Sequence, residues 1–506
     1  MLLMASQRRV GAALGYLNIL AKNFVNLLYT PMLLSYVGQG DYGVYQTANS
    51  FVFTLTLLTF GFSEAYVRFY TQKKVQGSDE GIKQLNGLYL TLYLLVSLIA
   101  LVIGLLVAGD SGQFFSASFT TSQVELASQL MTAMAFNVSL TLFSTVFDAF
   151  IIAHEQFKFQ QSRQMFTTIA TPVIALLLLK CGSGALGVAF AQLLITATLL
   201  CLNIHFAYFR LGMRFTFRHF DIGLFCSIAV FSGWIFINQL CDLINQSVPN
   251  MILGALTSAV TVSVFAVALQ IRQVFYSLST TLSSVFVPEI NRIVAESNDN
   301  RVLTELMTRV GRYQMLLFCW VYCGFVLLGR FFIERWAGDS FVSSYYLICA
   351  MTLPVSVPLC QNTGIEIQRA KNKHRARSIV YLVMSLFNVL FTWIATPYLG
   401  YWAPAIAYII GIAFGNGLFM NWYYHNRIGL DMGFFWKRNM PIPMASMLTL
   451  ILCIGLKLLI PVSSWAHFIL LGSLYTILFA IAMWMLVFDK NEKQAFKMGI
   501  FDVFRS

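Results

Sequence analysis

Fourteen apolar segments, each long enough to cross a membrane, follow one another along the chain with short polar breaks between them. A spanning helix needs about 20 predominantly apolar residues. The segments lie near residues 11–36, 42–69, 86–109, 124–153, 163–180, 184–209, 222–247, 258–289, 313–333, 342–368, 379–398, 402–425, 441–461 and 466–488. The longest connectors fall around 291–312 and 489–506, which leaves no room for a soluble domain. Of the 506 residues, 58% are hydrophobic and 11% charged. A soluble domain carries about 25% charged residues, so the apolar excess must face lipid rather than a core. The expected fold is an all-α integral membrane protein with about fourteen transmembrane helices.

Charge supplies the topology. The net charge of +12 sits in short basic clusters between spans, a membrane-topology pattern and not a nucleic-acid footprint. With the N-terminus inside, the outside ends hold four cations, Lys180, Arg330, Arg335 and Lys457. Two more, Lys22 and Arg272, lie within spans. The other 27 of the 33 Lys and Arg fall inside. That asymmetry predicts a multi-pass protein of the cytoplasmic membrane with both termini cytoplasmic. Arg8 and Arg9 precede an apolar stretch running from Gly11 to Gly38, too long for a signal peptide, so the first span is expected to be retained. The nine cysteines form no C-x-x-C pair and read as apolar filler. The six histidines lack metal-ligand spacing, so no metal or cofactor is expected.

Weak self-similarity recurs at one period. Ala189 and Ala405 precede matching spans, Arg210-Leu211-Gly212 and Arg427-Ile428-Gly429 end them, and Val44-Tyr45 parallels Val264-Phe265. The order and spacing suggest two copies of a six-helix bundle, the same way up and with the substrate site between them. The expected division is a lobe over 1–218, a second over 219–438, and two additional helices with a cytoplasmic tail over 439–506.

The stretch from Leu27 to Arg68 carries Pro31, Gly38, the run Asp41-Tyr42-Gly43-Val44-Tyr45, and Gly61 through Arg68. It resembles the opening of the Wzx-type polysaccharide flippases of the multidrug/oligosaccharidyl-lipid/polysaccharide exporter superfamily. A second stretch, Gln368 to Lys437, has the basic loop RAKNKHRAR and the helix end Pro397-Tyr398-Leu399-Gly400. Tyr401 to Pro404 depart from the Gly-rich turn usual there. The resemblance implies two six-helix lobes around a cavity lined by spans 1, 2, 7 and 8. It also implies an undecaprenyl-pyrophosphate-linked glycan turned from inner to outer leaflet, for O-antigen, capsule or exopolysaccharide. Membrane lipid, and a polysaccharide polymerase with a chain-length regulator, are the partners it implies.

Ionisable residues inside spans are costly and mark function. Lys22 lies about 17 Å into the first span at 1.5 Å per residue, and Arg272 is similarly deep in the eighth. On the family's cavity-lining helices, the two cations suit a pyrophosphate, Arg offering a bidentate fork and Lys a point charge. A structural ion pair between Arg272 and Asp242 is the rival reading. Asn18, Lys22 and Asn26 share one helical face, as do Asn238, Asp242 and Asn245. These facing polar stripes predict an aqueous cavity, against the alternative of interhelical hydrogen bonding. Asp242 and Glu64 are candidates for ion coupling. Asp148 and Glu366, near span ends, suit capping or pairing, with Arg369 as one partner. No Walker motif is present, so the drive would be an ion gradient, the membrane potential or downstream consumption. A multidrug or small-cation exporter would want an acidic cavity. A glycan polymerase or ligase would want a large outside loop, and the outside loops here are short. The expected activity is therefore transport, not catalysis.

Overall fold

The computed structural model describes residues 2–59, 61–217, 222–284, 286–371, 373, 375–459, 461–490, 492 and 493. Among these the chain is helical throughout, with no strand. In order the helices are α1 (Leu2–Val37), α2 (Gln39–Thr54), α3 (Phe62–Val75), α4 (Asp79–Gly109), α5 (Ser111–Phe115), α6 (Thr121–Ala153), α7 (Phe157–Lys180) and α8 (Gly184–His205). Then come α9 (Ile222–Gln246), α10 (Val248–Leu256), α11 (Ala259–Ser284), α12 (Val287–Glu296), α13 (Asn300–Trp336), α14 (Val342–Cys360) and α15 (Asn362–Ala370). The last are α16 (Arg375–Leu399), α17 (Trp402–Ile412), α18 (Asn421–Tyr423), α19 (Met432–Asn439), α20 (Pro441–Leu459) and α21 (Trp465–Ala482). Eleven helical stretches among the described residues are long and apolar enough to cross a membrane. The expected first and seventh spans are the helices α1 and α9.

The expected second span is not one helix. It breaks into α2, a 3-10 turn over Leu55–Thr59, and α3. Thr54 and Thr56 turn their hydroxyls back onto the carbonyls of Phe51 (2.5 Å) and Phe53 (2.7 Å), and such back-bonding bends a helix. Gly61 then takes a left-handed φ of 69° ahead of α3, a conformation open to glycine at little cost. The expected tenth span breaks likewise at Gln361, between α14 and α15. The connector expected over 291–312 is helical on both sides of a break at 297–299, with α12 running to Glu296 and α13 starting at Asn300. Asp299 accepts from the Arg301 amide at 2.7 Å and caps α13. Over its first turns α13 buries Leu303, Leu306, Met307 and Val310 while Arg301, Glu305 and Arg309 stay outside. That amphipathic stripe is too polar on average to register as a span.

The chain divides into two compact units. One comprises Met1–Ala266 with Ser385–Pro404, the other Val267–Met384 with Ala405–Ser506.

In the first unit α6 is central, packed by α2, α4 and α8, with α7 against α1 and α8. Its core is aromatic: Phe62, Tyr66, Tyr70, Tyr89, Tyr93, Phe147 and Phe150 pack together. Tyr66 donates to Asn86 Oδ1 at 2.6 Å, and Asn86 Nδ2 donates to the Arg214 carbonyl at 2.8 Å, so these two buried polar side chains satisfy one another and the chain that follows α8. Gly43 has a packing role, because a Cβ there would run into the Ala259 carbonyl. Gly254 on α10 similarly lies against Thr47 of α2. Asp148 is paired with Arg163 at 2.6 Å, and Arg163 also donates to Asn203 at 2.5 Å.

In the second unit α13 is central, packed by α14, α19, α20 and α21. Arg312, the last residue of the connector expected over 291–312, is buried at 8% exposure. Its Nε and Nη2 donate to the two carboxylate oxygens of Glu492 at 2.7 and 2.9 Å, Nη1 to the Arg438 carbonyl, and Nη2 also to the Val487 carbonyl at 3.3 Å. Glu366 is paired with Arg369 at 2.8 Å.

Candidate substrate-binding residues

The α1 stripe does not stay together. Asn18 is buried at 3% exposure and donates through Nδ2 to both the Gln161 carbonyl and Gln161 Oε1, each at 2.8 Å. It serves the contact between α1 and α7. Lys22 and Asn26, one turn apart, are exposed on α1. The Asn26 carbonyl accepts from Thr30 Oγ1 at 2.9 Å.

Asp242 is exposed on α9. Asn245, on the same predicted face, is engaged between helices: its Nδ2 donates to the Cys241 carbonyl (2.9 Å) and to Ser385 Oγ (2.8 Å). Asn388 Nδ2 approaches Asn245 Oδ1 at 3.4 Å, and Thr392 Oγ1 donates to Asn388 Oδ1 at 3.2 Å. Here the polar ladder holds α9 to α16, as polar side chains do between helices in lipid. The side chains of Asn238 and Glu64 lie outside the described residues.

Arg272, in the second unit, has the most unusual surroundings. It is 7% exposed, and its guanidinium carbon lies 4.1 Å from the centre of the Tyr408 ring. The hydroxyls of Tyr408 and Tyr276 are 2.6 Å apart. Arg272 and Tyr276 are four residues apart on α11 and so share a face. The aromatic face contributes about 2 kcal/mol to holding a desolvated cation. The ring's negative face attracts the cation but accepts no in-plane N–H bond. Arg272 Nε is buried with no hydrogen-bond partner among the described residues. A guanidinium has five N–H donors in a planar fork, so the site presents a pre-positioned cation with unused donor capacity. Composition and hydropathy do not single out Tyr276 or Tyr408. The i, i+4 spacing from Arg272 would have found Tyr276, but nothing in the sequence points from Arg272 to Tyr408 in another span.

Many apolar helices, built on α6 in one unit and on α13 in the other, define a polytopic membrane protein. The family model of polysaccharide biosynthesis proteins matches residues 36–346, and the chain belongs to that family. The uncharacterized membrane protein EpsK of Bacillus subtilis (strain 168) is 22% identical over 481 residues, covering 93% of this chain and 94% of EpsK. Among solved structures, the lipid II flippase MurJ in an inward closed conformation matches with a TM-score of 0.73 and 16% identity, over 94% of this chain and 99% of that one. An inward-facing multidrug resistance transporter of the MATE family, in the MOP superfamily, matches with a TM-score of 0.63 and 14% identity, over 82% and 96%. The fold is therefore shared with these two membrane proteins.

Proposed function

We propose that this protein is a flippase. It carries a polyprenyl-pyrophosphate-linked oligosaccharide repeat unit, destined for O-antigen, capsule or exopolysaccharide, across the bacterial cytoplasmic membrane by alternating access. In this reading lobes 1–218 and 219–438 rock about the bound headgroup, residues 439–506 add two helices and a tail, and both termini are cytoplasmic. The polyprenyl tail stays in lipid while the sugar–pyrophosphate passes. A polymerase and chain-length regulator would act on the delivered unit.

The observation that carries the reading is Arg272, a buried guanidinium with an unbonded Nε. An anion that enters brings acceptors to donors already desolvated, where charge-assisted hydrogen bonds are strong. Membership of a polysaccharide biosynthesis family and the fold shared with a lipid II flippase support the same substrate class. A cationic drug would meet repulsion at Arg272, which disfavours the multidrug alternative.

The test is glycan export in a strain whose surface polysaccharide depends on this gene. Removing one partner of a desolvated charge pair costs about 2–5 kcal/mol, so Arg272→Ala should lower export by at least about thirtyfold at unchanged protein level. Export equal to wild type would overturn the reading.

A further inference from the structure

At one end of the second unit three elements converge: the first turn of α13, the loop from α15 to α16, and the π-helical turn Tyr424–Ile428 that follows α18. Lys371 Nζ donates to Asn300 Oδ1 there, and Lys373 Nζ donates to the Arg427 carbonyl at 2.9 Å. Gly429, at φ 88°, lets the chain pass close to the Asn300 side-chain amide. Lys373 and Arg427 are exposed and Lys371 is half-buried.

Two lysines two residues apart are thus fastened to neutral acceptors. The carboxylates on these elements are engaged elsewhere. Glu366 holds Arg369 at 2.8 Å, Asp299 caps α13, and Asp431 accepts from the Phe434 amide at 3.0 Å to cap α19. Burial first, and then the charge of Lys373, push the Lys371 ammonium below its ordinary value. Fixed like charges without a counter-charge are unfavourable unless an anion completes them.

The aromatic side chains beside the cluster say which anion. Trp422 is exposed, Tyr423 donates its hydroxyl to the Lys373 carbonyl at 3.1 Å, and both rings pack on Phe419. Trp and Tyr gather at the level of lipid headgroups. Basic clusters directly beyond a span bind anionic lipid.

We propose that Lys371, Lys373 and Arg427 form a binding site for the phosphodiester headgroup of an anionic phospholipid, with Trp422 and Tyr423 seated at the interface beside it. The site is separate from Arg272 and does not depend on the transport reading.

The full-length protein, purified and stripped of lipid, is offered mixed micelles containing phosphatidylglycerol or phosphatidylcholine, and retained lipid is counted by native mass spectrometry. Wild type should retain phosphatidylglycerol preferentially. Each basic residue near the lipid surface contributes about 1 kcal/mol, so Lys371→Gln/Lys373→Gln/Arg427→Gln should lower that retention by about a hundredfold. If the triple variant does not fold, the exposed Lys373→Gln alone should lower it by about fivefold, and Lys373→Arg should restore it. Two results would overturn the proposal: equal retention of the two lipids by wild type, or unchanged retention by the variants.

Discussion

Arg272 and Arg312 are both buried in the second unit, at 7% and 8% exposure, yet their partners differ in kind. Arg312 is saturated: a carboxylate takes two of its donors and two carbonyls take others. Arg272 has a tyrosine face and an unbonded Nε. Equal burial therefore says nothing about role, and the partner set does. A saturated guanidinium fastens the chain near Val487 and Glu492 to α13 and to Arg438 of α19. An unsaturated one keeps a donor that, in the proposed function, an entering anion would take up.

The largest effect should come from stranding the saturated arginine. Removing one partner of a buried ion pair costs about 3–5 kcal/mol. Glu492→Gln should lower the unfolding free energy of the purified protein by about 3 kcal/mol, read as a fall in the denaturation midpoint. Replacing both partners with apolar residues, Arg312→Met with Glu492→Leu, should recover most of that loss, because a well-packed apolar pair is often neutral or better. If Glu492→Gln matched wild-type stability, Arg312 would be no more structural than Arg272 and the contrast would collapse.

The tyrosine on Arg272 comes next. Tyr408→Leu keeps a branched apolar side chain but removes the ring beneath the guanidinium, along with the hydroxyl bonded to Tyr276. A desolvated cation–π contact is worth about 2 kcal/mol, so glycan export should fall by about thirtyfold. Tyr408→Phe retains the ring and should lose clearly less. Equal losses from the two would shift the role from the ring to the hydroxyl pair.

The sequence made the spans legible because lipid imposes a composition that survives averaging over about 20 residues. What it hid were features that averaging erases. The break at Gly61 rests on two threonine back-bonds and one positive φ. The first turns of α13 alternate buried and charged positions, so they read as a loop. Arg312 falls in the same stretch and reads as a loop cation for the same reason. At the candidate site the charge of Arg272 was legible and its partners were not, since Tyr408 is one tyrosine among 22 in the chain. The polar stripes were visible as spacing. Periodicity cannot separate a polar side chain that faces water from one that bonds a neighbouring helix, and Asn18 and Asn245 are of the second kind.

Lys22 gives the smallest expected effect and the sharpest use of the comparison. It is the other deep cation of the sequence, but it is exposed on α1 beside Asn26. Exposed charges contribute up to about 1 kcal/mol, so Lys22→Ala should lower transport by about fivefold or less. Salt separates the two cations more cleanly than size of effect. Interactions of exposed charges are screened over about 10 Å at 0.1 M ionic strength and buried ones much less. In proteoliposomes the defect of Lys22→Ala should therefore shrink as salt is raised, because wild type loses the same attraction. The defect of Arg272→Ala should persist. A Lys22→Ala loss as deep as that of Arg272→Ala, and as indifferent to salt, would place Lys22 in a desolvated contact with the substrate and make the two cations equivalent.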